Sequence, residues 1–279
     1  MKFIPWGNQL PVATFSDADG EALAAAVRRL ESPSLAGRLA TLAGKPVALV
    51  QRALPATAST AVAKLTKHAL EHALEVALFS LRNRRIRGGR KLHSGLAGAS
   101  GAIGGAFGLA AIAVELPIST TIMLRAIAAI ARHEGEDLSK IEARLACLEV
   151  FALGSKQRNE QVDNIGYYAA RALLGKYTHD IVTFVAERGA LDVSAPVVRS
   201  MVSEIASRFG LVVSDKVAAA ALPILGAVGG ATVNVIFMDH FQRVAQAHFT
   251  LRRLERTYGT ATVRQRYAEL ATRPSLAST

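Results

Sequence analysis

Residues 95–114 read GLAGASGAIGGAFGLAAIAV, and residues 217–238 read VAAAALPILGAVGGATVNVIFM. Each segment belongs to a stretch without formal charge, the first from Leu92 to Val114 and the second from Val217 to Met238. Alanine is the strongest helix former, and neither segment shows the strict alternation of a half-buried strand. These two segments therefore predict helices, and they decide the fold class.

The composition of the whole chain also favours helices. The 279 residues include 51 alanines and are 51% hydrophobic, but only 6% are aromatic. This balance is typical of closely packed helices rather than of a sheet built from β-branched and aromatic residues. We predict an all-α fold, a compact multi-helix bundle around two Gly/Ala-rich central helices.

Prolines and polar residues divide the chain into three predicted parts. Residues 1–57, broken by several prolines, predict an N-terminal accessory segment with short helices. Residues 58–270 carry the repeated helical pattern and predict the main helical domain. Residues 271–279, rich in Pro, Ser and Thr, predict a flexible tail.

Caps and glycines predict several helix ends. Ser16 with Asp19, and Ser139 with Glu142, resemble capping boxes at two helix starts. A glycine just past a helix often adopts the left-handed cap conformation. Four glycines are expected in that position, Gly135, Gly154, Gly189 and Gly210.

A short glycine motif occurs twice, as GAIGGA at 101–106 and as GAVGGA at 226–231. Both copies contain the GxxxG spacing, which places two positions without side chains on one helix face and lets backbones approach closely. We expect buried helix–helix contacts at Gly101, Gly104, Gly105, Gly108, Gly226 and Gly230. We also expect the two segments to pack against each other.

The two charge-free stretches are long enough to cross a bilayer core of about 30 Å. Against a membrane-spanning role, glycine and alanine contribute little to insertion, and Pro223 and Asn234 interrupt the second stretch. Buried core helices of a soluble bundle remain the alternative interpretation.

The chain is strongly basic, with 33 Lys and Arg against 22 Asp and Glu. Residues 82–91, RNRRIRGGRK, directly precede the first charge-free stretch, as juxtamembrane polybasic segments do. No nucleic-acid module accompanies them, so lipid is favoured over DNA or RNA. The predicted lipid-binding residues are Arg82, Arg84, Arg85, Arg87, Arg90 and Lys91.

The first charges after the two glycine motifs are Glu115 and the pair Asp239-His240. They would converge if the two helices ran parallel, and antiparallel packing would separate them. Glu115 is followed by Leu116 and Pro117, where we expect a helix break. A carboxylate beside a break is a candidate functional group.

Two interpretations of these polar residues stay open. In the first, they form a structural polar lock, with Arg125, Arg252 and His248 as the expected partners, because buried charges must be paired. In the second, Glu115, Asp239 and His240, with His248, form the site of a hydrolase.

Other catalytic and metal motifs are weak. His68, Glu71 and His72 fit the HxxEH pattern of zinc proteases, but a polar helix face is the favoured explanation and no third ligand is identifiable. The sequence contains no GxSxG, Walker A or CxxC motif. Cys147 lies in an apolar helix pattern and is expected to fill the core. We therefore predict no metal and no cofactor.

Three segments carry a resemblance to a known family: GAIGGAFGLAAIAVELPISTTIMLRAIAAIARHEGEDL (101–138), RLACLEVFALG (144–154) and RFGLVVSDKVAAAALPILGAVGGATVNVIFMDHFQRVAQAHFTLRRLERTYG (208–259). Together they resemble the EcsC protein family, over roughly residues 61–267. The resemblance implies a mostly helical bacterial protein, linked by name to an ABC-type exporter and without an established activity. The family's recurring polar positions correspond here to Glu115, Arg125, Glu149, Asp163, Arg208, Lys216, Asn234, Asp239, His240, Gln242, His248, Arg252 and Arg253.

The first residues, MKFIPWG, lack the apolar core of a secretory signal, so we expect a cytoplasmic start. The leading hypothesis is a non-enzymatic protein, peripheral or integral to the inner membrane, that contacts anionic phospholipid beside an ABC transporter or another membrane protein. A hydrolase and a protein-interaction scaffold are the alternatives.

Overall fold

Helices make up most of the described part of the chain, which in the computed structural model is residues 15–32, 34–44, 56–80, 109–155, 166–220 and 226–272. In chain order they are α1 (Asp17–Leu30), α2 (Leu35–Ala43), α3 (Ala56–Glu75), α4 (Leu109–His133), α5 (Ile141–Leu153), α6 (Gly166–Arg188), α7 (Pro196–Ala220), α8 (Gly226–Tyr258) and α9 (Thr260–Ala271). A π-helical turn, Val76–Ser80, continues α3. Within these ranges there is no strand, so the predicted all-α fold class is confirmed.

One of the two predicted capping boxes begins a helix. The Ser16 side chain accepts a hydrogen bond from the Asp19 amide, 3.2 Å away, and starts α1. The prediction for Ser139 was wrong, because α5 starts after Lys140, which makes no side-chain cap bond. The Ser139 amide instead donates to the Asp137 carboxylate at 3.0 Å and holds the turn before α5.

Of the four glycines predicted to cap helices, two are confirmed and two are not. Gly135 and Gly189 have positive φ angles of 80° and 70°, as expected for left-handed caps. Gly154 ends α5 in right-handed geometry, and Gly210 lies inside α7, so these two predictions were wrong. Helix α7 continues past Gly210 because Val212, Val213, Val217, Ala218 and Ala219 extend its buried face.

The helix break expected at Pro117 does not occur, since α4 runs without interruption from Leu109 to His133. Proline removes one backbone hydrogen bond, but packing of the neighbouring residues can outweigh that loss. Leu116, Met123 and Leu124 are buried in the core and hold both sides of the proline in place.

Helix α8 passes through the centre of the bundle and packs against α1, α2, α4, α5, α7 and α9. Four buried rings join it to α5 and α7: Phe151, Phe209, Phe237 and Phe241. The ring centroids of Phe151 and Phe209 are 4.9 Å apart, and those of Phe209 and Phe241 are 5.4 Å apart. Such aromatic pairs contribute about 0.5–1.5 kcal/mol each beyond the area that they bury.

Helices α4 and α8 run parallel. Near their ends, Arg253 of α8 contacts Glu134, which follows α4, and nearer their beginnings Lys216 bridges Glu115 of α4 and Phe237 of α8. Helix α7 ends six residues before α8 begins, so its end lies beside the starts of α4 and α8. We call that end of the bundle the glycine end, and the end where α4 and α8 finish and α5 begins the arginine end.

The N-terminal helices share the core of the rest of the chain. Leu23 of α1 and Leu39 of α2 are completely buried, in the same cluster as the residues of α4, α5, α7 and α8. The segment predicted as accessory, residues 1–57, thus contributes two described helices to the bundle.

Most of the predicted glycine contacts fall outside the described residues, namely those at Gly101, Gly104, Gly105 and Gly108. Gly226 and Gly230 belong to the beginning of α8, and their surroundings are likewise outside the description. The expected packing of the two glycine motifs therefore stays a prediction.

Gly154 gives a test of core packing, since an added Cβ would lie 2.5 Å from Cε1 of Phe241. That ring is fixed among other buried rings, so we expect Gly154→Ala to lower the free energy of unfolding by about 1–3 kcal/mol. Gly175 in α6 has open space around it, and Gly175→Ala is expected to raise stability by up to about 1 kcal/mol. Chemical denaturation of both variants measures the difference, and equal effects would contradict the packing described here.

Candidate functional site

Glu115 forms a buried ion pair with Lys216 between α4 and α7. The ammonium Nζ lies 2.9 Å from both carboxylate oxygens, and the two side chains are only 8% and 10% exposed. The same ammonium lies 4.7 Å from the ring centre of Phe237 on α8. Burial lowers the pKa of Lys216, and the Glu115 carboxylate opposes this effect. The pair therefore links three helices at the glycine end.

Asp239 forms ion pairs with an arginine of α2 and an arginine of α8. Its Oδ2 accepts hydrogen bonds of 2.7 Å from Arg38 of α2 and from Arg243, one turn further along α8. Burial alone would raise the pKa of Asp239, but the hydrogen bonds from the two guanidinium groups hold it below its ordinary value. Asp239 thus fastens α2 to the central helix.

The two histidines of α8 contact two different segments. Nε2 of His240 lies 2.7 Å from the carbonyl oxygen of Gly154, to which its N–H donates. Nδ1 of His248 lies 2.9 Å from the hydroxyl of Tyr167 on α6. Burial lowers the pKa of His248 far below its ordinary range, so this imidazole is neutral. Each histidine fixes a neighbouring element to α8.

These contacts separate the residues of the hydrolase hypothesis. Phe237 faces Lys216 and therefore the Glu115 pair, and Asp239 lies about 200° further around α8. Parallel packing brings Glu115 and Asp239 toward one end of the bundle, but they face different sides of the central helix. This arrangement favours structural roles over a shared catalytic site.

The expected pairing of a buried acid with a base occurs, but the expected partners were wrong. Arg252 binds Glu136 instead, through hydrogen bonds of 2.8 and 3.0 Å, and Arg125 is exposed on α4. Glu136 follows the left-handed turn at Gly135, which directs the chain back toward α8. Sequence spacing alone does not reveal that reversal.

A charged network at the arginine end was missed. Arg171 of α6 grips both carboxylate oxygens of Glu255 at 2.7 and 2.6 Å. Arg253 contacts both Asp19 of α1 and Glu134 at 2.8 and 3.0 Å. The sequence did contain a signal for this network. The segment EGED at 134–137 is acidic, and the arginines near the end of α8 carry the opposite charge.

Glu149 of α5 is a buried acid within reach of this network. The hydroxyl of Thr178 donates a 2.7 Å hydrogen bond to its Oε1. Burial raises the pKa of Glu149, although Thr178 and the charges of Arg252 and Arg171 oppose the change. The folded state therefore favours its neutral form.

The other candidate residues named from the sequence lie at separate places and do not join these contacts. His68, Glu71 and His72 lie on the exposed face of α3, and among the described residues no three His, Cys, Asp or Glu side chains could hold a metal ion together. Cys147 is buried, and burial raises the pKa of its thiol, so it fills the core. The basic run at residues 82–91 lies outside the described residues.

Comparison with known families gives one match, since the model of the EcsC protein family covers residues 21–254. The chain belongs to the EcsC protein family. The match begins in α1, earlier than the start near Ala61 suggested by the sequence segments. No curated protein and no solved structure matches the chain.

Several of the polar positions that recur in the family make contacts within the bundle. They include the Glu115–Lys216 pair, the hydrogen bond from Thr178 to Glu149, and the link from Arg252 to Glu136. Membership in the EcsC family establishes no activity. These contacts show how polar residues hold this chain's helices together.

The glycine end exposes large apolar side chains. Val114 and Ile118 of α4 are 67% and 49% exposed, and Leu211 of α7 and Val235 of α8 are 51% and 38% exposed. Each lies in the half of its helix nearest the glycine end. Sequence reasoning did not identify these four exposed side chains.

In the described part of the chain, one helix is long and apolar enough to cross a membrane by length and composition. It covers Ile112–His133 at a mean hydropathy of 1.5, and half of an 18-residue window in it is buried. This helix overlaps the first predicted stretch, Leu92 to Val114, by three residues and otherwise comes after it in the chain. The second predicted stretch contains the end of α7 and the start of α8.

The buried pair predicts strong coupling between two substitutions. Lys216→Met leaves the Glu115 carboxylate buried without its cation, so we expect a loss of about 3–5 kcal/mol in the free energy of unfolding. Combining it with Glu115→Gln should recover much of that loss. Glu269→Gln, at an exposed pair with Arg266, is the control and should cost less than about 1 kcal/mol. Additive losses in denaturant titrations would argue against a buried pair.

Glu149 predicts a pH-dependent effect. Its folded pKa lies above the ordinary value of 4.5, so the unfolded chain releases the proton first and the native state loses stability as the pH rises above about 4.5. We expect Glu149→Gln to become increasingly stabilising, relative to the native protein, between about pH 4.5 and pH 7. Glu142→Gln, exposed on the same helix, is the control. A difference that does not change with pH would refute this assignment.

Proposed function

We propose that this EcsC protein is a membrane-associated accessory protein whose glycine end contacts an anionic bilayer. The observation that carries the proposal is the set of exposed apolar side chains at that end, Val114, Ile118, Leu211 and Val235. The hydrophobic effect favours their transfer from water into the outer part of an acyl-chain layer.

The chain's sequence supplies the electrostatic part of the contact. The charge-free stretches 92–114 and 217–238 include the starts of α4 and α8, and six cations precede the first stretch in the sequence, within residues 82–91. Each cation near an anionic leaflet contributes about 1 kcal/mol. The net charge of +11 supports attraction to the same surface.

The ion pair at the glycine end is compatible with this contact. Lys216 and Glu115 neutralise each other inside the bundle, so their charges need not be dehydrated separately when the end meets lipid. The proposed location is the cytoplasmic face of the inner membrane. An ABC transporter or another membrane protein is the proposed partner, which follows from the family resemblance.

Vesicle flotation tests the proposed contact. We expect the protein to bind vesicles of phosphatidylglycerol and phosphatidylcholine more strongly than vesicles of phosphatidylcholine alone, and to dissociate as salt rises. The double variant Val114→Gln/Ile118→Gln should bind about tenfold more weakly or worse, since two apolar side chains no longer insert.

Leu173→Gln is the matched control. Leu173 is 38% exposed on α6, two residues from Arg171, whose ion pair with Glu255 lies at the arginine end. Its removal should leave vesicle binding unchanged. Equal binding to neutral and anionic vesicles, or an equal loss in both variants, would overturn the proposal.

A further inference from the structure

A cleft of 390 Å³ opens at the arginine end, bordered by the 134–140 loop and by parts of α5, α6, α8 and α9. Its volume is within the range of about 300–1,000 Å³ found for small-molecule sites. Most of its lining side chains are charged, which favours a small polar ligand. Arg171, Arg252, Arg256 and Lys140 supply its positive charges.

The carboxylates deepest in the cleft already have partners. Both oxygens of Glu255 accept hydrogen bonds from Arg171, and both oxygens of Glu136 accept hydrogen bonds from Arg252. Arg256 also donates to Glu136. These pairs fix the positions of three guanidinium groups without using all their donors.

The lining holds four cations and four carboxylates, and the ion pairs do not use every guanidinium donor. A guanidinium carries five N–H groups. Arg252 uses two of its nitrogens on Glu136 and retains N–H groups for another acceptor. Arg171 holds Glu255 with two nitrogens and also hydrogen-bonds Tyr167. Asp137 and Glu142 also border the cleft, but both are exposed to water, and Asp137 accepts from the Ser139 amide.

Two helix starts add further donors at the cleft. Helices α5 and α9 begin at the cleft, through Lys140 and Thr260 respectively. Neither start has a side-chain cap bond, so the first amides of both helices lack that acceptor. Their partial positive charge adds to that of the fixed arginines.

We propose that this cleft binds the phosphate group of a small soluble compound. A phosphate carries three terminal oxygens and up to two charges, which suits donors that converge from several helices better than a planar carboxylate does. The cleft lies about 25 Å along α8 from Val235, since 17 residues separate it from Arg252. The soluble source rests on the proposed function, because a bilayer at the glycine end leaves the cleft in solution.

The test uses the full-length protein and inorganic phosphate, with chloride at equal ionic strength as the reference. Calorimetry should show saturable phosphate binding. Thr260→Glu places a carboxylate at the first residue of α9, where it competes for the donors and favours the helix. We expect phosphate affinity to fall by about tenfold or more. A second variant, Lys140→Gln, removes an exposed cation of the cleft and should weaken binding without unfolding the protein.

Thr183→Glu is the matched control, because it makes the same change at an exposed position in the last third of α6, away from the start of a helix. It should bind phosphate like the native protein. Absence of saturable binding, or equal affinities for Thr260→Glu and Thr183→Glu, would overturn the proposed site.

A vesicle arm separates the two sources of a phosphate group. Thr260→Glu should bind vesicles of phosphatidic acid and phosphatidylcholine as strongly as the native protein. A parallel loss of vesicle and phosphate binding would assign the cleft to a lipid headgroup and overturn the soluble source. Failure of the membrane proposal alone would leave saturable phosphate binding in solution intact.

Discussion

Burying the polar side chains of α8 against its neighbours is the constraint on which the bundle depends. The helix has 33 residues, and Asn234, His248 and Thr250 are among its almost completely buried positions. Burying a polar group without a partner costs about 1–3 kcal/mol in proteins. Neighbouring elements partner some of these side chains, as with Tyr167 at Nδ1 of His248 and the Gly154 carbonyl at His240. Both side-chain polar atoms of Gln242 and Nε2 of His248 are buried without a hydrogen-bond partner among the described residues. Polar contacts thereby determine where those neighbours dock.

The two ends of the bundle satisfy charge by different means. At the glycine end, one buried pair, Glu115 with Lys216, joins α4 to α7 and leaves exposed apolar side chains nearby. At the arginine end, several carboxylates and guanidinium groups form a connected, partly exposed network. Loss of one partner should cost far more at the buried pair than at exposed members of the network, because water screens the latter. The proposed lipid contact belongs to the first end, and the proposed anion site belongs to the second.

The acid–base groups of α8 show why a list of polar residues does not identify an active site. Asp239 and His240 are adjacent in sequence, but they bind Arg38 and the Gly154 carbonyl on different elements. A catalytic dyad needs its members to share a reacting atom, and helical geometry turns successive side chains by about 100°. The same geometry explains how one helix can hold many neighbours at once.

The sequence by itself determined the fold class, because alanine content and helical periodicity are local properties. It also predicted the cap at Ser16 and the left-handed turns at Gly135 and Gly189. The partners of the charged residues, Lys216 for Glu115 and Glu136 for Arg252, were decided only by the tertiary structure. These pairs are separated by about 100 residues in the chain, and their meeting depends on which faces of parallel and antiparallel helices come together. The tertiary structure also decided that α4 continues through Pro117. Packing against the core outweighs the local tendency of proline to interrupt a helix.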